Sequence, residues 1–91
     1  MPADSKDIDG RLIALLTAIA PDIDPALIDP ELDLRDQFDF DSMDSLHFAV
    51  AISKEFSIGV DERDYPRLAG LRKAREYVQG KLAAAAAPAT R

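Results

Sequence analysis

The sequence predicts an all-α protein, a small four-helix bundle made of three longer helices and one short helix. Three segments carry apolar residues at the i, i+3, i+4 and i+7 spacing of a helix that buries one face. Prolines and glycines fall between these segments, where helices end. A chain of 91 residues suffices for one domain with a small core. We assign residues 1–82 to that domain and 83–91 to a flexible, alanine-rich tail.

The first helix is predicted over residues 5–19, because its leucines and isoleucines recur on one helical face. Pro21 ends it, since proline cannot continue the backbone hydrogen bonds of a helix. Pro25 and Pro30 then interrupt the segment 22–40, which no long helix can cross. The apolar residues scattered through this segment are expected to hold it against the helices.

The second long helix is predicted from residue 41 or 42 to about 56. A short helix is expected to begin near Asp64, because Pro66 suits a first helical turn. The last long helix begins near Leu71 and extends into the alanine run that Pro88 ends.

The composition excludes several kinds of catalytic and metal site. Without cysteine there is no disulfide scaffold, no cysteine-ligated zinc and no thiol nucleophile. The single histidine, His47, lies on one helical face with Asp44, but no nucleophile shares that face to complete a catalytic triad. A calcium loop starting at Asp39 fails, because Asp44 and Val50 stand where glycine and the closing glutamate are needed. We therefore expect a chain that is not an enzyme and has no metal site.

Charge is distributed unevenly along the chain, whose net charge is -6. Residues 1–60 hold 13 acidic and four basic side chains, whereas residues 61–91 hold four acidic and seven basic ones. The acids concentrate between Asp22 and Asp44, which would repel nucleic acid and attract a basic protein partner. The acidic start of the chain has no apolar run typical of a signal peptide. We expect a cytoplasmic monomer that does not insert into membranes.

The second long helix carries two apolar stripes. At about 100° per residue, its core stripe lies roughly 240° to 340° from Ser42 and includes Phe48, Ile52 and Phe56. A second group lies at about 40° to 100°, well away from the core stripe. We call this group the outer stripe, formed by Met43, Leu46 and Val50. An exposed apolar patch bordered by charge commonly contacts a partner, unless Phe38 and Phe40 of the preceding segment cover it.

The residues around Ser42 form a pattern that extends over much of the chain. Asp41-Ser42-Met43 is close to Asp-Ser-Leu at the start of a second helix. The supporting positions are Leu34 and Phe38 before the serine, Phe56 fourteen residues after it, the Ile58-Gly59-Val60 segment and the Tyr77-Val78 pair. Over about residues 5–82 the chain therefore resembles the acyl carrier protein family.

The resemblance implies that Ser42 receives 4'-phosphopantetheine from coenzyme A through a phosphopantetheinyl transferase, with Asp41 supporting the transfer. The arm would hold acyl groups as thioesters for acyl-loading and acyl-transferring enzymes, and the chain itself would not be catalytic. Partners are expected to meet the residues around the serine: Met43, Leu46, Val50, His47, Asp39 and Asp44. An acyl chain is expected between the second and third helices, against Phe48, Ile52, Ile58 and Leu68.

A second serine competes for the motif, because Asp44-Ser45-Leu46 is literally Asp-Ser-Leu. Attachment at Ser45 would shorten the distance to Phe56 to eleven residues. It would also place the arm in the middle of the core stripe, one turn into the helix. We therefore expect Ser42 to be the attachment site.

Departures from the family pattern indicate a specialised carrier. Asp39 and Phe40 replace the small residues usual before Asp-Ser, and His47 and Lys54 stand where acidic residues usually contact fatty-acid enzymes. A dedicated lipid, polyketide or related pathway is thus favoured over housekeeping fatty acid biosynthesis. Two alternatives stay open: a peptidyl or D-alanyl carrier with the same arm, and an unmodified acidic helical adaptor that docks through the outer stripe.

Overall fold

The computed structural model describes residues 5–86 as a helical bundle. It contains α1 (Ser5–Ile19), α2 (Leu34–Gln37), α3 (Ser42–Phe56) and α4 (Leu71–Ala86). Two 3-10 helices, Pro25–Leu27 and Glu62–Leu68, lie in the connections. The described part of the chain forms no β-strand, only an isolated bridge between Asp33 and Gly70. The predicted all-α bundle is confirmed.

The core lies where α1 packs against both α3 and α4. Each of these helices places its periodic apolar residues inward, as helical spacing requires. The most deeply buried large side chains are Ile8, Leu12, Leu16, Leu34, Phe48, Ile52 and Val78. At the edge of the core, the Arg11 guanidinium lies 4.3 Å above the Phe56 ring and donates to Glu55 at 2.8 Å. This contact fastens the C-terminal end of α3 to α1.

The connection between α1 and α3 is only partly held by its apolar residues. Ile23, Leu34 and Phe40 are buried, as expected, and the Phe40 and Phe48 rings meet edge to face with centroids 6.3 Å apart. Leu27, in contrast, is 71% exposed. The expectation that apolar residues hold this segment against the helices is therefore confirmed for the buried residues and wrong for Leu27 and for Leu32, which is also exposed.

Helix α2 was not expected from the sequence. The side-chain amide of its last residue, Gln37, forms hydrogen bonds with the backbone of the preceding segment. The amide accepts from the Asp29 N–H at 2.8 Å and donates to the carbonyls of Asp29 and Leu32 at 2.8 and 3.0 Å. These bonds satisfy backbone groups that an irregular segment otherwise leaves unpaired.

The same connection is fastened to the start of α4. The Leu34 N–H donates to the Ala69 carbonyl at 2.8 Å, and Lys73 Nζ lies 2.7 Å from Asp33 Oδ1. A Cβ on Gly70 would lie 3.0 Å from the Leu32 carbonyl oxygen, so a larger residue here would push this backbone away by a few tenths of an ångström. At the start of α4, Arg72 and Lys73 therefore pair with Glu31 and Asp33 of the connection, whereas Arg75 pairs with Asp9 of α1.

The short third helix differs from its prediction. It is a 3-10 helix that begins at Glu62, two residues earlier than expected, because the Asp61 side chain accepts from the Arg63 N–H at 2.9 Å. Pro66 consequently lies inside the helix instead of in its first turn. The Tyr77 hydroxyl of α4 donates to Asp64 at 2.8 Å, and burial, aided by this bond, raises the pKa of Tyr77.

Helix α4 continues through Ala86, so the alanine-rich segment starts as part of a helix. The predicted stop at Pro88 lies outside the described residues. Across residues 5–86, no helix combines the length and the apolar character needed to cross a membrane.

Candidate functional site

Helix α3 begins with a reciprocal cap formed by two carboxylates. Asp41 Oδ1 accepts from the Asp44 N–H at 2.9 Å, and Asp44 Oδ2 accepts from the Asp41 N–H at 3.3 Å. The Asp41 carbonyl accepts from the Ser45 N–H at 3.0 Å, which starts the helical hydrogen-bond pattern. This capping box holds the helix start in place.

Ser42 is the first residue of α3, and its side chain is exposed. The sequence placed the helix start at residue 41 or 42, and in the structure Asp41 is the cap and Ser42 the first helical residue. Within the described part of the chain, the Ser42 hydroxyl takes part in no hydrogen bond. The hydroxyl is therefore available for modification without loss of the cap.

The electrostatics around Ser42 combine two opposing effects. The first backbone N–H groups of a helix lack intrahelical acceptors and, with the helix dipole, favour a negative group such as a phosphoester. The carboxylates of Asp41 and Asp44 oppose an anion, but both accept hydrogen bonds in the capping box. An exposed, unbonded hydroxyl at a helix start fits a phosphopantetheine ester.

An open cleft of about 380 Å³ lies beside Ser42. We call it the serine cleft, and its walls are Asp33, Arg35, Ser42, Ser45, Tyr65, Pro66, Leu68, Ala69 and Lys73. These residues come from α2 and the residue before it, α3, α4, and the second 3-10 helix with the turn after it. Of the four residues expected to contact an acyl chain, Leu68 borders the cleft, while Phe48, Ile52 and Ile58 lie in the core cluster.

Ser45 does not lie where its helical angle predicted. Its side chain is exposed and borders the serine cleft together with Ser42. The first turn of α3 projects past the core, so burial on this face begins only at Phe48. The argument from the core stripe is therefore wrong for Ser45, and spacing and position at the helix start remain the reasons to prefer Ser42.

The outer stripe is exposed, as predicted. Met43, Leu46 and Val50 are 56%, 37% and 42% exposed. Phe40 does not cover them, because it is buried against Phe48 on the core side of α3. The charged positions expected to contact partners lie around the same helix, with Asp39, His47 and Lys54 exposed and Asp44 half-buried.

Sequence reasoning missed the far wall of the serine cleft. Arg35, Tyr65 and Lys73 stand 7 to 31 positions from Ser42 in the chain and belong to three different elements. No local pattern identifies them, since they share a cleft with Ser42 only when the connection packs onto α4 and the second 3-10 helix packs onto α3 and α4.

Removal of the cap should weaken α3 without removing the serine. We expect Asp41→Ala to lower the free energy of unfolding by about 0.5–2 kcal/mol, and Asp41→Asn to retain most of it, because asparagine also caps helices well. Urea unfolding followed by circular dichroism measures both values. Equal losses in the two variants would mean that the charge of Asp41, and not its cap, stabilises the helix.

The comparison with protein families matches this architecture. A family model described as phosphopantetheine attachment site matches residues 11–78, which is 68 of the 91 residues. The match runs from α1 to Val78 in α4 and includes Ser42 and all walls of the serine cleft. Carrier domains of this kind are generally non-catalytic and are modified by a phosphopantetheinyl transferase. The chain belongs to the phosphopantetheine attachment site family, as its resemblance to acyl carrier proteins predicted.

Proposed function

We propose that Ser42 bears 4'-phosphopantetheine and that the chain presents acyl thioesters to enzymes of a dedicated lipid, polyketide or related pathway. The observation that carries this proposal is the exposed, unbonded Ser42 hydroxyl at the start of a helix that Asp41 caps independently. When attached, the arm supplies the thiol that this cysteine-free chain lacks.

Asp41 and Asp44 contribute to this function by fixing the position of Ser42. The capping box of Asp41 and Asp44 fixes the first turn of α3, so the hydroxyl projects from a rigid support. Asp41 is also the residue that we expect to support the transferase complex. Neither carboxylate needs to move a proton within this chain for the modification to occur.

The outer stripe supports contact with partner enzymes. Met43, Leu46 and Val50 follow Ser42 on the same helix, so an enzyme that receives the arm meets them. Their burial contributes about 25 cal/mol per Å² of apolar area, from which the cost of association is subtracted. Exposed acids such as Asp39 steer basic partners and chiefly raise the association rate.

Intact mass spectrometry tests the proposed modification. The purified chain is incubated with coenzyme A and a broad-specificity phosphopantetheinyl transferase, and we expect the mass of one phosphopantetheine to be added. Fragmentation should place the addition on Ser42. A folded chain that stays unmodified with several transferases would favour the adaptor, which uses the outer stripe without an arm. A peptidyl or D-alanyl carrier would accept the same arm and differ only in its cargo.

Two side chains on α3 are expected to restrict the choice of partner. His47 and Lys54 are exposed where the family usually presents acids to fatty-acid enzymes. Loading by such an enzyme should be slow, and His47→Glu combined with Lys54→Glu should raise its rate roughly two- to tenfold. The gain should be larger at low salt, where charges are less screened.

Loading rates of holo wild type and the double variant at two ionic strengths measure this effect. The control is Arg63→Glu with Ala83→Glu, which makes the same change of charge at exposed positions outside α3. Fast loading of wild type, or equal gains in the variant and the control, would contradict a role for His47 and Lys54 in partner choice.

A further inference from the structure

The serine cleft is an open depression with the volume of a small-molecule site. Its volume of about 380 Å³ lies at the lower end of the range for such sites, roughly 300–1,000 Å³. Pro66, Leu68 and Ala69 provide apolar surface on one wall. Ser42 borders the cleft, so an arm attached to its hydroxyl starts at the edge of this site.

The polar walls of the cleft are positively charged on balance. Lys73 is paired with Asp33 at 2.7 Å, and the two charges cancel. Arg35 is exposed and forms no ion pair or hydrogen bond with any other described residue. The walls therefore carry a net charge of +1 in a chain whose net charge is -6.

Two hydroxyl groups add donors to the same cleft. Ser45 and Tyr65 both line it, and within residues 5–86 neither hydroxyl forms a hydrogen bond. A ligand that combines a short apolar section with an anionic end would pair with Arg35 and with these hydroxyls. A hydrocarbon would gain nothing from the exposed guanidinium, which stays hydrated, and a cationic aminoacyl group would be repelled by it.

We propose that the serine cleft holds an anionic acyl group, one that carries a free carboxylate in addition to its thioester carbonyl. This proposal rests on attachment of the arm to Ser42. The phosphodiester of an attached arm would be an anion too, but its link to the Ser42 hydroxyl would hold it at the start of α3, where backbone N–H groups favour an anion. Arg35, on α2, would therefore be available to pair with a carboxylate at the distal end of the arm.

Matched cargoes test this assignment. A broad-specificity transferase installs complete arms from malonyl-coenzyme A or acetoacetyl-coenzyme A, whose acyl groups differ only in a carboxylate oxygen against a methyl group. The readout is the amide chemical shifts of Ser45, Tyr65, Leu68 and Ala69, relative to the holo form without cargo. Occupancy of the cleft should be up to about fivefold higher for malonyl, the range of a partly exposed ion pair. A cationic alanyl cargo should give the smallest shifts.

Arg35→Gln should reduce the malonyl shifts to the acetoacetyl level, and high salt should act in the same direction. The control Arg63→Gln makes the same change of charge on an exposed side chain outside the cleft and should retain the malonyl shifts. Circular dichroism confirms that both variants fold.

Three results would overturn the assignment. Equal shifts for malonyl and acetoacetyl would show that the carboxylate is not recognised. A second result would be shifts that already appear when the apo chain becomes holo, that depend on Arg35 and that do not grow when cargo is added. Such shifts would mean that Arg35 contacts the phosphodiester of the arm and not the cargo. Failure of every arm to attach to Ser42 would refute the proposed function, and with it the cleft assignment, whereas normal attachment without cargo-dependent shifts would refute the cleft assignment alone.

Discussion

Ser42→Ala is expected to abolish the addition of phosphopantetheine completely. The hydroxyl oxygen is the atom to which the arm would be joined, and alanine has no replacement for it. The variant should stay folded, because Asp41 caps α3 through Asp44 and Ser42 takes no part in that cap. We expect its free energy of unfolding to change by less than about 0.5 kcal/mol, as is usual for a surface substitution. Intact mass after incubation with coenzyme A and a transferase gives the result directly.

Ser45→Ala is the matched control for this experiment. Ser45 lies in the same turn, is exposed and borders the same cleft as Ser42. Its loss should leave labelling intact, since Ser42 is the residue at the start of the helix. If labelling disappeared in Ser45→Ala and persisted in Ser42→Ala, with both variants folded, the attachment site would be Asp44-Ser45-Leu46 instead.

Phe48→Ala is expected to cause the largest loss of stability in α3. The side chain is 1% exposed, and its ring meets Phe40 edge to face. Truncation of a buried phenylalanine costs about 3–5 kcal/mol, because it removes apolar contacts and leaves a cavity. That is a large part of the stability of a small domain, about 5–15 kcal/mol. Phe56→Ala should have a similar effect, since Phe56 is 6% exposed and also loses its contact with Arg11.

Substitutions in the outer stripe should cost much less stability than those of the buried phenylalanines. Leu46→Ala and Val50→Ala remove similar chemical groups from the opposite side of the helix, where the side chains are 37% and 42% exposed. We expect each to cost about 1 kcal/mol or less, because no closed cavity forms and part of the surface is already hydrated. Urea unfolding of the four variants measures the difference. Equal destabilisation by both groups would show that the outer stripe is packed in solution.

The long helices and the position of the serine could be predicted from the sequence. The bounds of α1 and α3 agree with the predicted ranges, because their apolar residues repeat with the helical period and prolines or charged caps stand at their ends. Exposure of Met43 and Val50 also follows from this period, since a helix in contact with a core on one side presents its other side to solvent.

Local rules were less reliable where the helices are short. The sequence contains Gln37 and Asp61, but nothing in their surroundings distinguishes them from other polar residues. Gln37 organises α2 because its amide donates to the carbonyls of Asp29 and Leu32. Asp61 caps a 3-10 helix that begins at Glu62, two residues before the start that Pro66 predicted. Both depend on a particular backbone path more than on a repeating pattern.

The functional site also has one part that the sequence predicts and another that only the tertiary structure decides. Helical period and motif spacing are local properties, and they were enough to identify the family and to select Ser42 as the expected site. The serine cleft and the exposure of Ser45 depended on tertiary packing, because Arg35 and Lys73 reach the cleft only when the connection is fastened to α4 by the Leu34 N–H bond to Ala69. A helical angle states which way a side chain points, but only the neighbouring elements decide whether anything covers it.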